Sequence, residues 1–451
     1  MEIKLISIEN SIELYAEIKD NILSNVFTKN LSSHTFENII FCDDLVIPDG
    51  VVEIVDDAFY RVSHIFNFNK IIFPGSLRKI GKRAFYKTLG SSLRSIKLPT
   101  NLEYIGDQAF EGESSGSVIG VKSLTIPNKV VKIGERAFAN WKKLNTLKLG
   151  KALKQVGHEA FLCCENLKRV EGSSILKDNC LICDNCVVAV FGDSDKITIP
   201  EGVTEIDDFA FSSTFDSCSH LSPITDIQLP STLKSIGNGA FSGTNIRSLH
   251  LPDSIENISA NPIRGTDCVS LTGKFSYKDI MLIQDKRLIC FITGLKSVEV
   301  PEGVETIGRS CFYCYGAEEI LLPDGLKTIE PFAFSYNKIK ELKLPDTIES
   351  IGSYAFNSCY KLESLIIPAS LTYLGKLPFC DMTNCKKITF LGELPPLVEK
   401  EEESVIYSEY INPTAVIRVP SKSIEEYRLL FPQMAKPDAA YPNGRVLPLK
   451  E

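Results

Sequence analysis

The chain predicts a repeat solenoid of α/β type, a curved rod with a parallel β-sheet on its concave face and a cap at each end. Three observations lead there. The dipeptide Ala-Phe recurs at a near-constant stride, at Ala58-Phe59, Ala84-Phe85, Ala109-Phe110, Ala137-Phe138, Ala160-Phe161, Ala210-Phe211, Ala240-Phe241, Ala333-Phe334 and Ala355-Phe356. Variants stand at Cys311-Phe312 and Pro378-Phe379. Prolines keep the same beat: Pro323, Pro345 and Pro368 are 22 and 23 residues apart, and Pro48, Pro74, Pro99 and Pro127 are 26, 25 and 28 apart. Finally, Lys177-Asp178 through Val203 aligns without a gap with Lys278-Asp279 through Val304, at a constant offset of 101. Self-similarity at a period of 20–50 residues marks a stack of equivalent coils.

Taken in chain order, residues 1–44 come first. Ile8, Ile12, Tyr15, Ile18, Ile22 and Val26 recur at helical spacing, so this stretch is expected to be a helical cap over the first coil. In each repeat an apolar pair alternates with exposed residues just before Pro, as in Ile96 and Leu98, Leu124 and Ile126, or Leu147 and Leu149. That is the period-2 mark of a short half-buried strand. Pro ends it, having no N–H to give a ladder. The Gly that follows a second Ile (Gly81, Gly106, Gly134, Gly237, Gly308, Gly352) suits a tight turn with positive φ, and Asp207 at the same point tolerates that conformation. Ala-Phe then opens a short helical or irregular return, with Phe plugging the stack.

This pattern, apolar-x-apolar-Pro followed by apolar-x-x-Ile-Gly-x-x-Ala-Phe, resembles the BspA-type leucine-rich repeat. The resemblance covers roughly residues 45–394, about a dozen units. It implies a leucine-rich-repeat rod in which segments 175–200 and 278–301 are β-hairpin modules, each substituting for one coil. It also implies that residues 395–451 close the stack, with a strand at Ile417–Pro420 and a short helix around Tyr427. Adhesion or host–microbe contact is the role the family suggests.

Formal net charge is −8, and lysines are spread evenly, so no concentrated basic face for nucleic acid is present. No apolar run reaches the length of a membrane span. The N-terminus carries Glu2, Glu9, Glu13, Glu17 and Asp20 and lacks a signal-peptide pattern, which favours a cytoplasmic location, with cell-surface display or secretion as the alternative.

Fourteen cysteines invite a metal or disulfide reading. Cys180-x-x-Cys183-x-x-Cys186 has ligand-like spacing. Its duplicate, however, carries Met281, Gln284 and Arg287, so the scaffold does not need thiols there. Cys164, Cys359 and Cys314 fall just after Phe, where a small buried hydrophobe fits. The histidines, His34, His64, His158, His220 and His250, lie on different coils without a partner, and Cys218-Ser-His220 is a short coincidence in a long loop. Glu399 and Glu401 to Glu403 read as a solvated loop. No metal, no cofactor and no catalytic residue are expected.

The candidate binding face is the row of outward residues between the two apolar strand positions: Lys97, Thr125, Lys148, Thr198, Gln228, His250, Glu299, Leu321, Lys343 and Ile366. It mixes charge, hydroxyl and apolar groups, as a surface for a protein or glycan would. The expected function is a monomeric, non-enzymatic interaction module. An intracellular scaffold is the alternative, and an enzyme with its site on inter-coil loops is a weaker one.

Overall fold

The computed structural model describes residues 2–8, 12–29, 40–60, 66–114, 118–192, 194–211, 223–292, 295–313, 316–399, 415–437 and 444–449. Two compact units divide the chain, Met1–Ile246 and Arg247–Glu451. Both are stretches of parallel β-solenoid, about 14 turns in all, with few helices. Among the described residues α-helix is confined to Ile424–Leu430 and Pro432–Ala435, and no helix is long and apolar enough to cross a membrane. The returns after Ala-Phe are turns rather than helices, so the α part of the expected α/β repeat is absent from them.

Among the described residues most turns contribute two strands where one was expected. The strands of the pre-proline row pair in parallel, Thr146–Leu149 lying between Ser123–Thr125 and Arg169–Gly172 in the first unit. In the second unit Ser364–Ile367 pairs with Lys387–Phe390, and this with Val416–Val419. A second ladder runs through Glu53–Ile54, which precedes Val55, and the two residues before each glycine: Lys79–Ile80, Tyr104–Ile105, Lys132–Ile133 and Gln155–Val156. The glycine N–H extends it, donating to the preceding turn's Ile carbonyl at 2.8 Å for Gly81, Gly106 and Gly134.

These glycines do not have positive φ, and neither does Asp207; the left-handed residue is the one just before Ala, among them Arg83, Gln108, Arg136, Glu159 and Phe209, and Ser310 before the equivalent Cys311. Glycine is needed for a different reason. A Cβ on Gly106 would meet the Gly81 carbonyl carbon and the Lys82 nitrogen, both at 2.5 Å, and one on Gly81 would meet the Asp56 nitrogen at 2.5 Å. Backbones of adjacent turns touch there, and only a residue without a side chain fits.

Beside that contact runs a third ladder. The Phe N–H donates to the Ala carbonyl of the next turn, Phe85 to Ala109 at 2.8 Å and Phe334 to Ala355 at 2.8 Å. Ala is small because backbones meet there, and Phe turns inward. The rings stack at 4.5 Å for Phe59–Phe85, 5.3 Å for Phe85–Phe110 and 5.4 Å for Phe110–Phe138. In the second unit they stack at 5.0 Å for Phe312–Phe334 and 5.3 Å for Phe334–Phe356.

The N-terminal helix expected from residues 1–44 is not formed. Glu2–Ile8, Ile12–Lys19 and Ile22–Lys29 make an antiparallel meander, and the last strand pairs in parallel with Glu53–Ile54. Asp20 and Asn21, at φ 51° and 64°, form the two-residue turn that right-twisted strands prefer. Leu14 and Ala16 are buried on alternate positions, a strand period that the wider spacing of isoleucines conceals.

The duplicated segments also run antiparallel. Leu176–Lys177, Cys180–Cys183 and Cys186–Val190 form one meander, and Ser276–Tyr277, Met281–Gln284 and Arg287–Phe291 the other. The last strand of each rejoins the parallel ladder, with Glu205–Ile206 and with Thr306–Ile307. Near the C-terminus Val446–Pro448 adds a parallel strand to Val416–Val419 that the sequence reading lacked. Tyr427 from the helix is buried and its hydroxyl donates to the Gly392 carbonyl at 3.0 Å.

Replacing Phe241, fully buried in its stack, with Ala is expected to cost about 3–5 kcal/mol, read from the urea midpoint. Gly106→Ala should cost about 2 kcal/mol through overpacking against the neighbouring backbone. A stability gain there, as reduced unfolded-chain entropy alone would give, would refute the close-contact reason for glycine.

Candidate functional site

All ten residues of the proposed face are exposed. Their flanking strand residues point inward, as Leu124 and Ile126 do around Thr125 and Leu365 and Ile367 around Ile366. This follows from pleating: alternate residues of a strand face opposite ways, so the Leu and Ile that build the core set the intervening residue outward.

Ladder register brings successive members together. Lys148 lies opposite Thr125 on one side and Glu171 on the other. Thr198 Oγ1 donates to Gln228 Oε1 at 3.1 Å, and His250 Nδ1 lies 3.0 Å from Thr272 Oγ1. Glu299 is opposite Leu321, and Ile366 opposite Thr389. Leu321 and Ile366, 51% and 54% exposed, are the apolar members. Lys97 and Lys343 differ from the rest, because their segments carry no strand pairing even though Ile96, Leu98, Leu342 and Leu344 remain buried. Where the ladder lapses beside Lys343, a groove of about 450 Å³ opens, lined by Glu319, Leu321, Glu341 and Lys343.

Charged groups elsewhere pair between turns. Arg136 reaches back to Glu111 at 2.8 Å and forward to Glu159 at 2.5 Å, joining three successive turns. Burial opposes the Arg136 charge, but both carboxylates outweigh it and hold the guanidinium protonated. In the second unit Arg287 makes a two-pronged bond to Glu330, both contacts at 2.8 Å. Gly308 intervenes without a side chain, and a Cβ there would lie 3.4 Å from the Arg287 guanidinium.

His158 is not solitary, contrary to expectation. Its Nδ1 donates to both carboxylate oxygens of Asp207, each at 2.5 Å. Asp207 occupies the glycine position of the turn that follows the first antiparallel insertion, and the chain brings it to His158 from 49 residues away. Burial lowers the His158 pKa, and the Asp207 charge and hydrogen bond more than reverse this, so the ring titrates above its ordinary value. Burial holds the Asp207 carboxyl above its ordinary range despite the imidazole.

Sequence reading also missed an aromatic row on the returns of the second unit. Tyr313 and Tyr336 lie 5.3 Å apart and Tyr336 and Tyr360 6.2 Å apart, with the Arg264 guanidinium 3.7 Å over Tyr313. These tyrosines stand one, two and four residues after their repeat Phe, so no fixed offset announces them.

Eleven cysteines, those at 163, 164, 180, 183, 186, 268, 290, 311, 359, 380 and 385, are free thiols. Cys183 and Cys186 are opposite one another at the tip of the first meander, and Cys180, opposite Val190, is buried. Burial pushes the Cys180 thiol up to about 12 and raises Cys183 and Cys186 as well, which keeps them protonated and poorly nucleophilic. Among the described residues no group of three or more His, Cys, Asp and Glu could hold a metal ion. Cys314, Cys218, His34, His64, His220 and Glu401 to Glu403 lie outside the described residues.

Comparison with known proteins bears on residues 29–400, most of the chain. Six copies of the BspA-type leucine-rich repeat region match, over residues 29–119, 117–221, 193–280, 214–314 and 286–400. No curated protein matches. Solved structures that match include a leucine-rich repeat protein from Bacteroides ovatus, 20% identical over 93% of this chain and 98% of that one, with a TM-score of 0.34. A leucine-rich cell surface protein from Faecalibacterium prausnitzii is 17% identical over 91% and 97%, at 0.45. The pneumococcal vaccine antigen PcpA is 18% identical over 99% and 98%, at 0.36.

Replacing His158 with Gln gives a pH test of its pair. A raised folded-state pKa means the pair stabilises below pH 6.5, and that contribution is lost as pH rises through the folded value. The melting-temperature gap between wild type and His158→Gln should therefore be larger near about pH 6 than near about pH 8.5. With the His158 side chain 67% exposed, the effect is at most about 1 kcal/mol. A gap independent of pH would refute the charge pairing.

Proposed function

The chain belongs to the BspA-type leucine-rich repeat family, and from that premise we propose that it is a non-enzymatic interaction module. Its binding surface is the outward row of the pre-proline strands. The observation that supports this reading is the row itself: ten exposed residues of mixed charge, hydroxyl and apolar character, each set between buried neighbours and, apart from Lys97 and Lys343, carried on a paired strand within its own unit. Rigid placement lowers the entropy lost on binding, which lets a surface without a deep pocket hold a macromolecule. Leu321 and Ile366 are the apolar anchors, since large exposed apolar groups on an otherwise polar face lose water on contact. The partner is a protein or glycan, and the family suggests adhesion as the setting.

Two measurements test this. Capture of partners by the immobilised chain, from culture supernatant and from cell lysate, is compared with capture by a Leu321→Asp, Ile366→Asp variant. Binding should fall at least about tenfold, the mark of an anchor worth about 1.4 kcal/mol or more. The melting temperature should hardly move, because surface changes of this kind stay within about 0.5 kcal/mol. Undiminished capture would place binding elsewhere on the molecule. Protease shaving of intact cells then separates adhesion from intracellular scaffolding: adhesion requires that the chain be cut, and full protection would exclude it.

A further inference from the structure

At the offset of 101, Val190 answers to Phe291 and Phe211 to Phe312. In the second copy the Phe291 ring is fully buried, its centroid 4.8 Å from Phe312 at an angle of 47°. It starts the aromatic stack of the second unit from within the antiparallel insertion. In the first copy a half-buried valine stands in its place. Phe211 there meets Phe241 at 5.1 Å on one side. It also lines a cavity of about 300 Å³, together with Phe161, Val188, Val190, Phe191 and Phe209.

We propose that this cavity is a binding slot for a neutral aromatic ring of about phenyl size. The second copy identifies the occupant, because what the first copy lacks is one benzyl side chain lying against Phe211. The walls suit such a ring. Phe161 and Phe191 meet edge to face at 6.0 Å and 77°, an arrangement to which a further aromatic adds favourably. The ring walls are flanked by polar groups, among them Glu159, Glu165, Asn166 and Lys168, and the volume lies at the small end of ordinary ligand sites. The acidic groups at the rim are already neutralised within the chain. Glu159 is bound by Arg136 at 2.5 Å and Glu165 by Lys142 at 3.8 Å, so the slot offers no charge to a cationic ligand. The site is distinct from the proposed binding face, and its test does not depend on that reading.

The test uses the full chain and fluorobenzene, followed by fluorine NMR line broadening. Wild-type protein should broaden the signal with millimolar or tighter affinity. Val190→Phe, which rebuilds the arrangement of the second copy, should weaken binding at least tenfold while leaving the melting temperature unchanged or raised. The reciprocal Phe291→Val should create a second slot and double the binding stoichiometry. Absence of broadening by wild type, or undiminished binding by a folded Val190→Phe, would overturn the proposal. Should Val190→Phe not fold, the reciprocal variant decides: a gain of a second site supports the slot, and no gain refutes it.

Discussion

Close approach of backbone to backbone between successive turns is the constraint on which the rest of this structure depends. At Gly106 even a methyl group would sit 2.5 Å from two backbone atoms of the preceding turn. That proximity sets the spacing at which Ile N–H and C=O groups pair, the spacing at which Ala carbonyls receive Phe N–H groups, and so the spacing of the rings. The stacked centroids at 5.0–5.4 Å are a consequence of it. Each turn presents an apolar surface that only its neighbour can cover, so cohesion is a property of pairs of turns rather than of any one.

Departures from the repeat are absorbed locally by charge. Where an acid replaces the glycine, a cation from another turn meets it: His158 for Asp207 and Arg287 for Glu330. Arg136 ties three turns in the same way. A half-buried carboxylate without a partner would be costly, whereas a paired one is tolerated. These pairs account for much of the polar chemistry inside the repeat, and they leave the outward strand row free to vary. A solenoid thereby separates the residues that build it from those available for recognition.

The two insertions show how little the ladder demands. Both rejoin the parallel stack through a strand of the same register, although one carries cysteines at the positions where the other carries Met281, Gln284 and Arg287. Their difference in ring content, Val190 against Phe291, is the difference between an open slot and a filled one.

Periodicity alone determined the coil length, the inward Phe column and the outward row, because a repeated residue in a stack can only face its own copies. The pre-proline strands were legible for the same reason, through alternation over three or four residues. What the tertiary structure decided lies between turns. The second ladder is only two residues per turn, too short to show a period, and the reason for glycine is a neighbour 25 residues away rather than its own φ. The N-terminal meander was misread because isoleucines at spacings of three and four mimic a helix while Asp20-Asn21 reverses the chain between them. His158 and Asp207, 49 residues apart, meet only because an insertion brings one turn against another. Sequence reports the order of contacts along a coil; contacts between coils depend on how turns stack, and those are set by the shared geometry of the whole.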